Sequence, residues 1–291
     1  MKHLEFNPDA GDTIVFLHGG NVAGWMWGEQ IPAFDDHHLL VPDLPGFGTS
    51  NDEPWVSMAD AADNVAGLIQ TRAKGGTAHV VGLSLGAGVG LHLVSRHPRL
   101  VTSLLVSSAS ITPPSPATKL SGRLMLAAWN RRWFWHFLAR GYGLPADSVE
   151  LFVETGLGIR RETALAVFAE TVRGLPPSVL QDLGRQNLGR PNVGQQNPAD
   201  QNLGQQNPGA PVTVLAVAGG SDSTAISVDS LAVLARIDGV KTATAPGMHH
   251  QWNIENVDLF NATVRAWIDR STLADGLVNT AGGAGEQTPP E

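Results

Sequence analysis

The sequence predicts an α/β fold, a doubly wound and mainly parallel sheet with a helical insertion. Three observations carry that expectation. Short apolar runs alternate with helical stretches through the first hundred residues, as happens when parallel strands are joined by crossover helices. Between residues 111 and 180 the strand signal disappears and apolar residues recur at helical spacing. From residue 211 strands and helices alternate again. At 291 residues and 42% hydrophobic, the chain can bury a substantial core as one domain with an insertion, and it needs no metal or disulfide staple.

Taken in order, Thr13-Ile14-Val15-Phe16-Leu17 reads as a buried strand running into the loop His18-Gly19-Gly20-Asn21, and Leu39-Leu40-Val41 as a strand that ends near Asp43. Ser57-Met58-Ala59-Asp60 opens a helix, with a carboxylate at the capping-box position and Met58, Ala62, Val65 and Ile69 on one apolar stripe. His79-Val80-Val81 is a strand, Ala87-Gly88-Val89-Gly90-Leu91 the body of a helix, and residues 101–106 a strand closing this half. In the helical stretch Leu120, Leu124 and Ala128 lead into an aromatic run over 129–137; Leu151-Phe152 and residues 164–172 continue it. Residues 181–210 divide into six polar units, QDLGR, QNLGR, PNVGQ, QNPAD, QNLGQ and QNPGA. Each offers at most one large apolar residue, so a loose low-complexity linker is expected rather than a stacked β-helix. Residues 212–217 then read as a strand, 227–236 as a helix and 241–244 as an edge strand. Phe260, Val264, Trp267 and Ile268 mark the inner face of a last helix that begins near 253–256. The organisation that follows is a core in two parts, 1–112 and 211–272, a helical segment 113–180, a linker 181–210 and an unstructured tail 273–291.

Chemistry concentrates in four places. Gly82-Leu83-Ser84-Leu85-Gly86 lies between a strand and a helix, the setting of a sharp turn that holds its serine in a strained backbone and displays it as a nucleophile. Such a serine needs a base, a group that orients the base, and donors for an oxyanion. Backbone amides of Gly20 and of Leu85 are the expected donors, with Gly19 and Asn21 as alternatives to Gly20; losing one donor costs roughly 3 kcal/mol. His18, at the end of a buried strand, is expected to brace this loop. Asp222, in Gly219-Gly220-Ser221-Asp222 at the carboxyl end of a strand, is the expected orienting acid. Asp43 is a rival on the same edge, although the rigid turn Leu44-Pro45-Gly46-Phe47-Gly48 favours a structural role for it. The base comes from Pro246-Gly247-Met248-His249-His250-Gln251-Trp252, with His250 the better candidate and His249 the alternative.

Together His18-Gly19-Gly20, Asp43-Leu44-Pro45-Gly46-Phe47-Gly48-Thr49-Ser50, Gly82-Leu83-Ser84-Leu85-Gly86, Gly219-Gly220-Ser221-Asp222 and His250 with Glu255 resemble the α/β-hydrolase superfamily in its compact esterase-like branch. The resemblance spans roughly residues 11–112 and 211–270, in the order nucleophile, acid, histidine. In that family the histidine commonly follows a glycine and stands five residues before a glutamate, which maps it onto His250 and Glu255; here His249 occupies the glycine's place. The resemblance further implies a helical lid over 113–180 and, in residues 2–6, one strand of an amino-terminal antiparallel hairpin. It implies a serine hydrolase that cleaves a carboxylic ester or related acyl substrate through a Ser84-His250-Asp222 triad and an acyl-enzyme, without a cofactor. Lyases and carbon–carbon bond hydrolases with the same triad, or a non-catalytic binding protein, are the alternatives. A serine at the elbow argues against haloalkane dehalogenases and epoxide hydrolases, which need a carboxylate there.

Composition narrows the partners. No cysteine is present, so neither a thiol nucleophile nor a disulfide framework nor a cysteine-based zinc site is available. With 27 acidic against 19 basic residues the chain is disfavoured as a ligand of nucleic acid or of an anionic membrane. The first residues lack a secretory apolar region and no run approaches a membrane span, so a cytoplasmic protein is expected. The aromatics of 129–137 suggest a hydrophobic acyl or alkyl pocket for a small apolar ester substrate, or an anchor fixing the lid. Arg131 and Arg132 fit a solvated helix face better than a contact with a substrate carboxylate.

Overall fold

The computed structural model describes residues 1–142, 144, 146–186, 188–189, 211–222 and 225–280. Among them eight strands, β1 (His3–Phe6), β2 (Thr13–Leu17), β3 (His38–Pro42), β4 (Ala78–Leu83), β5 (Val101–Ser107), β6 (Thr213–Gly219), β7 (Val240–Ala245) and β8 (Val278–Asn279), make one sheet in the order β1-β3-β2-β4-β5-β6-β7-β8. Strands β3 to β7 and β2 pair in parallel, while β1 on β3 and β8 on β7 are antiparallel and close the two edges. Every residue of β2, β3 and β4 is buried. Strands covered on both faces read as continuous apolar runs, which is why these were visible without alternation.

Helices α1 (Met58–Arg72) and α2 (Leu85–Arg96) follow β3 and β4 and pack on each other. Ser57 caps α1, its hydroxyl accepting from the Asp60 N–H at 3.0 Å, and Met58, Ala62, Val65 and Ile69 are buried. Among the described residues five α-helices lie between β5 and β6: α3 (Pro116–Ala127), α4 (Arg132–Gly141), α5 (Ala146–Gly158), α6 (Arg161–Arg173) and α7 (Pro177–Arg185). The second half of the core adds α8 (Ala225–Leu234), the single turn α9 (Trp252–Glu255) and α10 (Val257–Arg270), whose Phe260, Val264 and Trp267 are buried and whose amino end is capped by Asn256. One apolar cluster runs from β2 through the sheet to α10 and includes Trp135 and Phe152 of the insertion. No helix of the described residues is long and apolar enough to cross a membrane.

The insertion is a helical cap with its own small core. Trp135 is fully buried, its ring centroid 4.7 Å from that of Trp129 and 5.6 Å from that of Phe152. Polar ties fix the cap to the sheet domain, among them Trp25 Nε1 donating to Thr155 Oγ1 (2.9 Å), Arg160 donating to the Asp52 carbonyl (3.0 Å), and the Glu170 carboxylate accepting from Trp55 Nε1 and the Met58 N–H at 3.0 Å each. Thus the aromatic run divides: Trp129, Phe134 and Trp135 face inward, whereas Trp133 and Phe137 are 64% and 67% exposed. Arg132 pairs with Glu150 and Glu154 on the solvent side. On α3 Leu120 is exposed and Leu126 is buried.

Two segments differ from the sequence expectation. Helix α7 continues to Arg185, so the first of the five-residue units is helical and not linker; Val179 and Leu183 are buried, α7 packs on α2, and Gln186 Nε2 donates to the Val94 carbonyl at 3.0 Å. The rest of that repeat, 190–210, lies outside the described residues. At the other end, part of the expected tail is a strand: Val278 pairs with Thr244, and Thr280 bonds Thr242 through both its N–H (3.0 Å) and its hydroxyl (2.7 Å). Residues 281–291 of the tail also lie outside the described residues.

Candidate active site

The carboxyl ends of β2, β3, β4, β6 and β7 carry the residues expected to form the site and the rival acid Asp43, on the sheet edge where open α/β folds bind ligands. Ser84 joins β4 to α2 with φ 54° and ψ −106°, a left-handed backbone costly for any residue but glycine. The flanking glycines explain how the turn closes: a β-carbon at Gly82 would overlap the Gly86 carbonyl, and one at Gly86 would overlap that of Leu17. The Ser84 N–H is tied to the Ser107 carbonyl on β5 at 2.8 Å, which holds the bend against the neighbouring strand. Leu85 opens α2, where backbone N–H groups lack partners within the helix and the helix dipole favours negative charge.

Ser84, Leu85, Gly20 and Asn21 line one cavity of about 210 Å³ beneath the cap. Core residues Phe47, Met58 and Gly88 form its floor, and Leu126, Trp129, Ile159 and Phe168 of the cap are among those that roof it. The loop after β2 is strained, Asn21 standing at φ 67°. Within it the Gly19 N–H is directed at Met26 Sδ (3.4 Å), which leaves Gly20 and Asn21 as the loop residues that reach the cavity.

His18 and Asp43 build the frame behind this loop. The His18 Nε2 accepts from the Leu44 N–H at 2.9 Å, so its proton sits on Nδ1 and is donated to the Gly19 carbonyl at 2.7 Å. Burial pushes the His18 imidazole below its ordinary value, against the smaller opposing effects of that carbonyl and of the Asp43 charge. Asp43 accepts from the Gly24 N–H and from both the N–H and hydroxyl of Thr49, all at 2.7 Å. Its carboxylate is occupied in closing the turn that follows β3.

The loops after β6 and β7 bring together Asp222 and His250. His250 Nδ1 and Asp222 Oδ2 are 2.9 Å apart, with the Asp222 side chain 1% exposed and that of His250 19% exposed. His249 points elsewhere. Its ring is 65% exposed and bonds Glu255 Oε1 at 2.8 Å, while its N–H donates to Glu255 Oε2 at 2.7 Å. Glu255 therefore braces the histidine loop by gripping His249 at two points.

Further residues of the site gave no sequence signal of their own. Trp252, fully buried, donates to Ser107 Oγ at 2.9 Å and so anchors the histidine loop to the strand that also holds Ser84. Asn253 donates to the Met26 carbonyl at 3.2 Å and accepts from Gln30 at 2.9 Å, linking the same loop to the segment after β2. From the cap, the phenol of Tyr142, the chain's single tyrosine, bonds the Asn21 side chain. Enclosure of that oxygen raises its pKa, with a smaller push from the Asp222 charge, although the residue as a whole is 36% exposed. Only the indole of Trp252 had a positional hint, two residues after His250.

Comparison with known proteins agrees with this architecture. Residues 14–269 match the model of the alpha/beta hydrolase family. An AB hydrolase superfamily protein of Gibberella zeae is 28% identical over 274 residues, 93% of this chain and 84% of that protein. A pimeloyl-[acyl-carrier protein] methyl ester esterase of Neisseria meningitidis is 34% identical over 113 residues, which is 35% of this chain and 38% of the esterase, so the chain matches well under half the length of that relative. The solved structure of a thermophilic esterase from Thermogutta terrifontis, 19% identical, superposes with a TM-score of 0.68 over 92% of each chain.

Proposed function

Because the chain belongs to the alpha/beta hydrolase family, we propose that it is a serine hydrolase that cleaves a carboxylic ester of an apolar acyl group. One observation carries the reading: a serine held in a strained turn at a helix amino terminus faces a cap-covered apolar cavity, on the same sheet edge as a hydrogen-bonded Asp222–His250 pair. The resemblance to an ester-cleaving relative is in keeping with an ester substrate.

In this reading the Ser84 hydroxyl attacks the acyl carbonyl and gives its proton to His250 Nε2. The Asp222 carboxylate, bonded at Nδ1, fixes the tautomer and stabilises the imidazolium. The N–H groups of Gly20 and Leu85 receive the oxyanion, a role in keeping with the Gly19 N–H being turned toward Met26. Collapse expels the alkoxide, which takes the proton from His250 and leaves as alcohol. Water then attacks the acyl-enzyme with His250 as base, releasing the acid and restoring Ser84.

Intact-mass analysis after exposure to a fluorophosphonate tests the nucleophile, and p-nitrophenyl ester turnover tests the reaction. A single adduct on Ser84 is expected, with Ser84→Ala abolishing it and lowering turnover about 10⁴-fold or more. A Ser84→Ala protein that keeps near-normal turnover refutes the covalent route, and an unlabelled wild type points to a binding protein.

A further inference from the structure

The cavity against Ser84 is lined by side chains without charge among the described residues. Its polar groups are the backbone and side chains near Ser84, Gly20 and Asn21, with the hydroxyls of Ser110 and Thr171; among the described residues no Lys, Arg, Asp, Glu or His lines it. The Thr171 hydroxyl is already committed to the Val167 carbonyl at 3.0 Å. A carboxylate or ammonium carried into this space would therefore lose its water and meet no opposite charge. Resting on the serine hydrolase reading above, we propose that the enzyme selects neutral acyl groups of short to medium length, and that Phe168 with Gly122 sets the limit on their size.

The length limit comes from volume. A cavity of about 150 Å³ accepts benzene, so about 210 Å³ holds on the order of eight carbon-sized atoms. The acyl part is the part that fits here, because it stays bonded to Ser84 through both steps whereas the alcohol must leave for water. The roof over that part is set where α3 meets α6. Phe168 of α6 abuts Gly122 of α3: a β-carbon at 122 would overlap the Phe168 ring edge, so the ring occupies room that any other residue at 122 would deny it. Both residues line the cavity, and both belong to the cap rather than to the catalytic frame.

The test keeps p-nitrophenol as the leaving group and varies the acyl part. For the wild type, the hexanoate is expected to exceed both the laurate and the mono-adipate in kcat/KM by about tenfold or more, the adipate differing from the hexanoate chiefly by a carboxylate in place of the terminal methyl. Phe168→Ala should raise the laurate-to-hexanoate ratio about tenfold, and Gly122→Ala, which displaces the ring, should change that ratio too. Adipate and hexanoate cleaved at comparable rates, or a laurate-to-hexanoate ratio unmoved in a folded Phe168→Ala protein, overturns the inference. The wild-type series decides the charge question even if neither variant folds. Fluorophosphonate labelling runs alongside: a wild type that neither labels nor cleaves any of these esters sinks the hydrolase reading itself, whereas a labelled enzyme without acyl selectivity sinks only this inference.

Discussion

His249 and His250 are neighbours in one loop, yet their side chains go to different partners. His250 turns inward to a nearly buried carboxylate, and His249 turns outward to Glu255, where solvent competes for it. Removing the exposed ring should cost little, because Glu255 still has the backbone N–H of residue 249 to hold. We therefore expect His249→Ala to change kcat/KM by less than about threefold, in the range of surface substitutions, and His250→Ala to lower kcat by about 10⁴-fold. Steady-state kinetics on a p-nitrophenyl ester with the two variants side by side checks this, and the reverse ranking would move the base to His249. Spacing relative to Glu255 was enough to favour His250 from sequence. Spacing said nothing of what Glu255 does, which is to clamp the other histidine. The contact of Asn21 with Tyr142 was invisible for a different reason: it joins a core loop to the cap, and no local pattern encodes how those two pieces meet.

Elements were legible wherever a buried face imposes a period. The uninterrupted apolar runs of β2 and β4 and the stripe on α1 are local consequences of burial, and the glycines around Ser84 answer a steric demand made within five residues. The end of helix α7, residues 181–185, and strand β8 were missed because their order comes from elsewhere. The former depends on docking against α2, and the latter is a two-residue strand whose only support is the edge of β7. Electrostatic ties between elements are equally non-local. Asp63 on α1 holds Arg96 and His97 at the end of α2. The Arg96 hydrogen bond, more than that of His97, depresses the Asp63 carboxyl to about 2. A depressed carboxyl adds stability above its unfolded value near 3.8 and loses it as pH falls through about 2. With both side chains over 40% exposed, solvent screening keeps the contribution to about 1 kcal/mol or less. Asp63→Asn should thus melt about 1–3 °C below wild type at pH 7. The difference should shrink between pH 4 and pH 2, and a gap that persists unchanged at pH 2 would show that the carboxylate's charge is not its source.

At the scale of the whole molecule, the sheet is sealed by one antiparallel strand on each side, β1 and β8, leaving the parallel strands covered as their apolar sequences demand. The cap interrupts this core once, and the chain returns from cap to sheet through the low-complexity stretch. Both ends of that stretch are anchored. Leu188 is buried and packed against Gly239, and the Gly189 N–H donates to the Val212 carbonyl at 3.0 Å, so the points where the chain leaves and re-enters lie side by side. Residues 190–210 therefore need not span any distance between the cap and β6. Closing a long loop costs more entropy than closing a short one, by about 0.6 kcal/mol per doubling, so replacing 190–210 with a short Gly-Ser linker should raise stability by about 1 kcal/mol. We expect the shortened protein to label with fluorophosphonate and to cleave a small p-nitrophenyl ester at the wild-type rate, with a melting temperature equal to or slightly above that of the full chain. A shortened protein that melts normally yet has lost turnover would mean that the repeat itself takes part in the site.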